Sequence, residues 1–237
     1  MTSVSQVLQA MESKGSESTR RTYVRHGATG PTVYGVKVAD LKVIAKSIKG
    51  QHDLALALYD TGQYEAMYLA GMVADGKKMT KQQLDAWAQG AVWAWNAEYT
   101  VPWVASESEH GSALALEWMD SSANHVACAG WNTFGGLVAT KADEDLDLDE
   151  IRSLLGRVER EIGAAPNRVK YCMNGFVIAV GCYVEPLQSA AKATAEGLGK
   201  VEVDMGETYC KVPVATDYIA KVEKAGRTGK KRKTIRC

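Results

Sequence analysis

The residues best suited to chemistry are concentrated in WAWNAEYTVPWVASES, where Glu98 stands among tryptophans. A carboxylate walled by aromatic rings is partly stripped of water and can stabilise a cation that develops beside it, which breaking a glycosidic bond requires. A purely local account competes: Glu98 follows Asn96, a good helix cap, and an acid in a first turn complements the helix dipole. All six tryptophans (Trp87, Trp93, Trp95, Trp103, Trp118 and Trp131) fall between residues 87 and 131, joined by Tyr99 and Phe134. Rings at this density fill a core, or offer a stacking surface for bases at roughly 1–3 kcal/mol per base. One cluster can serve both uses.

The second chemical feature is charge. A formal net charge of +0 conceals an uneven chain: ADEDLDLDE at 142–150 holds six acids, and KVEKAGRTGKKRKTIRC at 221–237 holds eight bases against one acid. Lys230, Lys231, Arg232 and Lys233, with Arg168 and Lys170 on a predicted helix, could meet phosphates, contacts that fix position without reading sequence. The same run is equally a solvated tail.

Other chemistries find no support. His26, His52, His110 and His125 form no HExxH motif and no zinc spacing with a cysteine, so no metal and no cofactor are expected. Cys128, Cys172, Cys182, Cys210 and Cys237 are odd in number and scattered, which fits small buried hydrophobes in a reducing compartment. The longest apolar run, near 173–184, falls well short of the ~20 residues that span a bilayer. The N-terminus lacks a basic segment followed by an apolar one. A soluble, cytoplasmic protein is expected.

Helices must position these residues. VADLKVIAKSI at 38–48 repeats apolar residues at i, i+3 and i+4, and Asp53 reads as the cap of LALALYD. Residues 63–74 carry another apolar stripe, and Thr80 with Gln83 forms a capping box that opens a helix through Leu84 and Trp87. After Asn96 the pattern is helical with a kink or boundary at Pro102, then further helices are predicted over 109–119, 122–140, 148–162, 166–183, 186–198 and 215–224. Pro166 and Pro186 suit first-turn positions. Residues 197–214, with Gly197, Gly199 and Gly206, interrupt the series as a long interhelix loop. Each helix has one stripe to hide and short turns on either side, so the economical fold is all-α: antiparallel helix pairs stacked in a HEAT-like repeat array, an α-α superhelix. A compact helical bundle is the structural alternative. The reading is a single domain over 1–237 with a basic tail at 225–237.

GVKVADLKVIAKSI, DLALALYDTGQYEAMYLAGMVAD and WNAEYTVPW resemble the DNA alkylation repair family, the AlkD-like HEAT-like-repeat DNA glycosylases, over about residues 34–185. The resemblance implies removal of cationic N3- or N7-alkylated purines from double-stranded, damaged DNA without metal or cofactor. By position, the family's catalytic aspartate falls near Glu98 and its first pocket tryptophan at Ala94, between Trp93 and Trp95. The family's arginine falls near Trp131 and its second tryptophan near Phe176. The chain thus departs from the family at all four places. Three readings follow. In one, Glu98, Trp95 and Trp131 carry out excision, with Trp93, Phe176 and the basic residues holding DNA. In the second, the protein binds distorted or damaged duplex by shape and phosphate contacts without catalysis. The third is a helical protein-interaction scaffold.

Overall fold

The computed structural model describes residues 2–29, 33–208 and 210–236, so Cys237 lies outside the described residues. Among these the chain forms thirteen α-helices and no strand, and no helix is long and apolar enough to cross a membrane. Its contacts fall into two compact units, one built mainly from residues 1–110 and the other mainly from 111–235.

The first unit contains α1 (Val4–Glu12), α2 (Glu17–Arg25), α3 (Val38–Ser47), α4 (His52–Tyr59), α5 (Tyr64–Val73), α6 (Lys81–Gly90) and α7 (Val101–Ala105). α1 opens on a capping box between Ser3 and Gln6, and α6 on the predicted one between Thr80 and Gln83. Each box satisfies backbone amides that a helix start leaves without carbonyl partners. α5 is the central helix: eight of its ten residues are buried, and it packs against α3, α4 and α7. Asp53 does not cap α4. The helix starts at His52, two residues before the expected Leu54, and Asp53 lies in the first turn, where its charge complements the dipole.

The second unit contains α8 (Gly111–Met119), α9 (Asn124–Thr140), α10 (Leu148–Glu161), α11 (Asn167–Tyr183), α12 (Gln188–Leu198) and α13 (Ala215–Lys224). Its core is the packing of α9 against α8 and α11. Gly130 permits the first of these contacts, because a Cβ there would come within 2.7 Å of the Ala115 carbonyl oxygen. Pro166 is the N-cap of α11 and so lies one residue ahead of its first turn, whereas Pro186 takes the expected first-turn place in the short 3-10 helix Glu185–Leu187 that runs into α12. The long loop is ordered by side chains from α11. Asn167 exchanges two hydrogen bonds with the backbone of Asp204, and Asn174 Nδ2 donates to the Pro213 carbonyl.

The basic tail is also tied down. Gly229 N–H donates to the Cys182 carbonyl, Arg232 N–H donates to the Ala139 carbonyl, and Lys231 pairs with Asp143 at 2.7 Å. Arg236, counted with the first unit, donates to the carbonyls of Gly71 and Ala74 at the end of α5 and pairs with Glu107. A guanidinium on the last carbonyls of a helix supplies both their missing donors and a charge that suits the dipole.

Candidate functional site

Glu98 sits on one turn of π-helix, Asn96–Thr100, immediately before α7. The cause is Pro102. A proline has no N–H to give the carbonyl four residues back, here that of Glu98, and its ring crowds that carbonyl. The chain widens instead, and the Val101 N–H bonds to the carbonyl of Asn96, five residues back. Such turns are frequent at functional sites because they turn a side chain away from the regular helical direction. Asn96 is not a helix cap. Its Nδ2 donates to the Tyr64 carbonyl at 3.2 Å, and its Oδ1 accepts from the Thr100 hydroxyl at 3.0 Å. α5 approaches this turn closely, since a Cβ on Gly71 would come within 2.7 Å of Thr100 Cγ2. Glu98 is thereby held at 4% exposure.

The preceding tryptophans form an aromatic group with α2 and α5. Trp93 and Trp95 stack with ring centroids 5.0 Å apart, Tyr23 meets Trp95 edge-on at 5.1 Å, and Tyr64 stacks on Trp93 at 5.6 Å. Trp93 is buried, and its indole N–H donates to the His26 carbonyl. Trp95 is partly exposed and lies 5.6 Å from the His26 ring. Each such pair adds about 0.5–1.5 kcal/mol beyond the area it buries.

One residue that holds this group was not singled out from the sequence. Glu65, on α5, is 1% exposed and accepts from the backbone N–H groups of Tyr34 (3.0 Å), Gly35 (2.6 Å) and Val36 (2.9 Å), and from Gln63 Nε2 (2.6 Å). A buried carboxylate is tolerable only with such donors. The segment it fixes includes Val36, whose carbonyl accepts from the Tyr23 phenol at 2.6 Å. Burial, with the Glu65 charge nearby, raises the Tyr23 pKa well above its ordinary value. The only advance signal was an acid beside Gln63 at the start of an apolar stripe.

The remaining predicted residues lie in the second unit. Trp131 and Phe176 are 0% and 1% exposed and pack on each other with centroids 5.4 Å apart. Arg157 lies 5.7 Å over the Trp131 ring, gripped by Asp120 and Glu161 at 2.8 Å each. Burial works against its charge, but the two carboxylates outweigh it and raise its pKa. Trp131 and Arg157 border a cleft of about 410 Å³ shared with Ser121, Asn124 and Arg160. Arg168 lies 4.7 Å over Tyr171 and reaches the Met205 sulfur, and Lys170 is partly exposed. Lys230, Arg232 and Lys233 are exposed, whereas Lys231 is partly buried in its pair with Asp143.

The comparisons agree with this architecture. Residues 7–189 match the family described as DNA alkylation repair enzyme. A solved structure described as a new family of proteins related to the HEAT-like repeat DNA glycosylases, with affinity for branched DNA structures, is 35% identical. It matches with a TM-score of 0.90, covering 100% of each chain, so the fold here is HEAT-like. Uncharacterized proteins of Listeria innocua and Listeria monocytogenes are each 29% identical over 218 residues, covering 90% of this chain and 93% of theirs. With that match over most of its length, the chain belongs to the DNA alkylation repair enzyme family.

Proposed function

We propose that the protein binds DNA, branched or otherwise distorted duplex, through phosphate contacts and shape, and does not excise bases. The observation that carries this reading is the closure of the expected pocket positions: Glu98, Trp131 and Phe176 are 4%, 0% and 1% exposed. A base swung out of a duplex needs an open aromatic wall to stack against. Ala94 offers no ring, and only its neighbour Trp95 is partly exposed. The affinity of the 35% identical protein for branched DNA suggests the substrate class. The proposed phosphate contacts are Lys230, Arg232, Lys233, Arg168 and Lys170, with Lys231 contributing only if its pair with Asp143 opens.

Excision of alkylated purines from damaged duplex is the second reading, and the π turn that carries Glu98 is what favours it. In it Glu98 stabilises the sugar cation beside Trp95. One experiment separates the two: DNA carrying 7-methylguanine is incubated with the protein and the released base counted, beside a binding titration on the same DNA. Binding without release is expected. Release by the wild type that disappears in Glu98→Gln would overturn the proposal in favour of excision.

A further inference from the structure

The chain holds a second basic segment that the C-terminal run conceals. Between residues 13 and 49 stand eight bases, Lys14, Arg20, Arg21, Arg25, Lys37, Lys42, Lys46 and Lys49, against only two acids, Glu17 and Asp40. Both acids are already occupied: Asp40 pairs with Lys14 at 3.6 Å, and Glu17 lies 3.7 Å from Arg20 and 3.8 Å from Arg21. What remains uncompensated is concentrated on α3. Its inner face buries Leu41, Ile44 and Ile48, and the helix packs against α1 and α5. Its outer face displays Lys42, Lys46 and, just past the C-cap, Lys49, all exposed. At intervals of four and three residues these lysines share one face, and they span about 10 Å along the axis. Among the described residues none of the three has a carboxylate within ion-pair distance.

We infer that Lys42, Lys46 and Lys49 form a phosphate-tracking stripe that lies along the sugar-phosphate backbone of one DNA strand; the inference rests on the DNA-binding reading above. Lys46 and Lys49 suit the negative end of the α3 dipole, but Lys42 does not gain from it, and Lys42 and Lys46 repel each other at i, i+4. A polyanion laid along the face relieves that repulsion. The span of the stripe matches about three rises of about 3.4 Å along a strand, the axial reach of four successive phosphates. Val43, 59% exposed beside the lysines, offers no hydrogen bond to a base edge, so the stripe holds the backbone without reading sequence.

The test compares the wild type, the triple variant Lys42→Gln, Lys46→Gln, Lys49→Gln, and a control with the same charge removed elsewhere, Lys141→Gln, Lys192→Gln, Lys224→Gln. DNA binding is measured by fluorescence anisotropy across a salt series, with thermal unfolding to verify that each variant folds. Each phosphate contact contributes about 0.9 to the slope of log K against log salt. The α3 triple is expected to flatten the slope by roughly 2–3 units, the control by less than one. Equal flattening in both triples, or none in the α3 triple, overturns the stripe while leaving DNA binding intact. Absence of DNA binding by the wild type overturns the underlying reading and the stripe with it. Displacement of bound DNA by polyglutamate as readily as by unlabelled DNA would also overturn it, in favour of an acidic protein partner.

Discussion

Replacing Glu65 by glutamine changes one oxygen to an NH2 group and almost no volume, which makes it a clean probe of how the aromatic group is held. In the native arrangement one carboxylate oxygen accepts from Gly35 and Val36, and the other from Tyr34 and Gln63 Nε2. In Glu65→Gln one position becomes a donor facing two donors. Hydrogen bonds to a charged group are worth about 1.5–3 kcal/mol each, and a buried donor left without a partner costs about 1–3 kcal/mol. Two such losses, eased by local adjustment, amount to roughly 3–5 kcal/mol, a large part of a domain stability of about 5–15 kcal/mol. The damage should be local first. Residues 33–36 loosen, the carbonyl of Val36 no longer fixes the Tyr23 phenol, and Tyr23 loses its place against Trp93 and Trp95. Urea unfolding at neutral pH, followed by tryptophan fluorescence and by circular dichroism, measures both effects. The fluorescence transition should move to lower urea, with altered native emission. A loss under 1 kcal/mol with unchanged emission would refute the claim that this carboxylate anchors the site.

Four further outcomes follow from the same packing. Gly71→Ala places a methyl group within 2.7 Å of Thr100 Cγ2 and should cost about 1–3 kcal/mol in thermal or urea unfolding; a neutral result would mean that α5 and the π turn separate easily. Arg236→Ala removes the donor that ends α5 and the partner of Glu107, with an expected loss of about 1–2 kcal/mol; no change in unfolding would show that the tail does not contribute to stability. Tyr23 and Tyr59 have pKa values raised chiefly by burial, so the unfolded chain gives up these protons first: their contribution is complete below pH 10 and is lost as pH rises above it. Stability should fall above pH 10, with two tyrosines ionising at 295 nm only as the protein unfolds; titration of all tyrosines near pH 10 in the native state would contradict this. The Cys182 thiol, pushed up to about 11 by burial, should resist iodoacetamide at pH 8 in peptide mapping while exposed Cys210 reacts.

The fold was legible wherever a helix carries an apolar stripe between clear start and stop signals. The last helix, Ala215–Lys224, and the Thr80–Gln83 box agree with expectation to the residue. α2 has no such stripe: Tyr23 is its only buried residue, so periodicity could not reveal it. The site was legible in part. Tryptophan density marked the aromatic group around Trp93 and Trp95, but one-dimensional spacing could not say that Trp131 and Phe176 would turn inward and pack together, since a buried and a stacking aromatic look alike in sequence. Pro102 announced an irregularity without its form, because a proline can be met by a kink, a boundary or a widened turn. The four amide donors to Glu65 come from two segments about thirty residues apart, and no local pattern encodes that meeting. The basic tail illustrates the same limit, with Lys231 and Arg236 spent on Asp143 and Glu107.

The measurement that bears most directly on the central claim is a paired titration of a four-way DNA junction and a linear duplex of equal length, at several salt concentrations. The account predicts binding to both that weakens steeply with salt, and tighter binding to the junction at every concentration. Equal affinity for the two, or binding insensitive to salt, would contradict it.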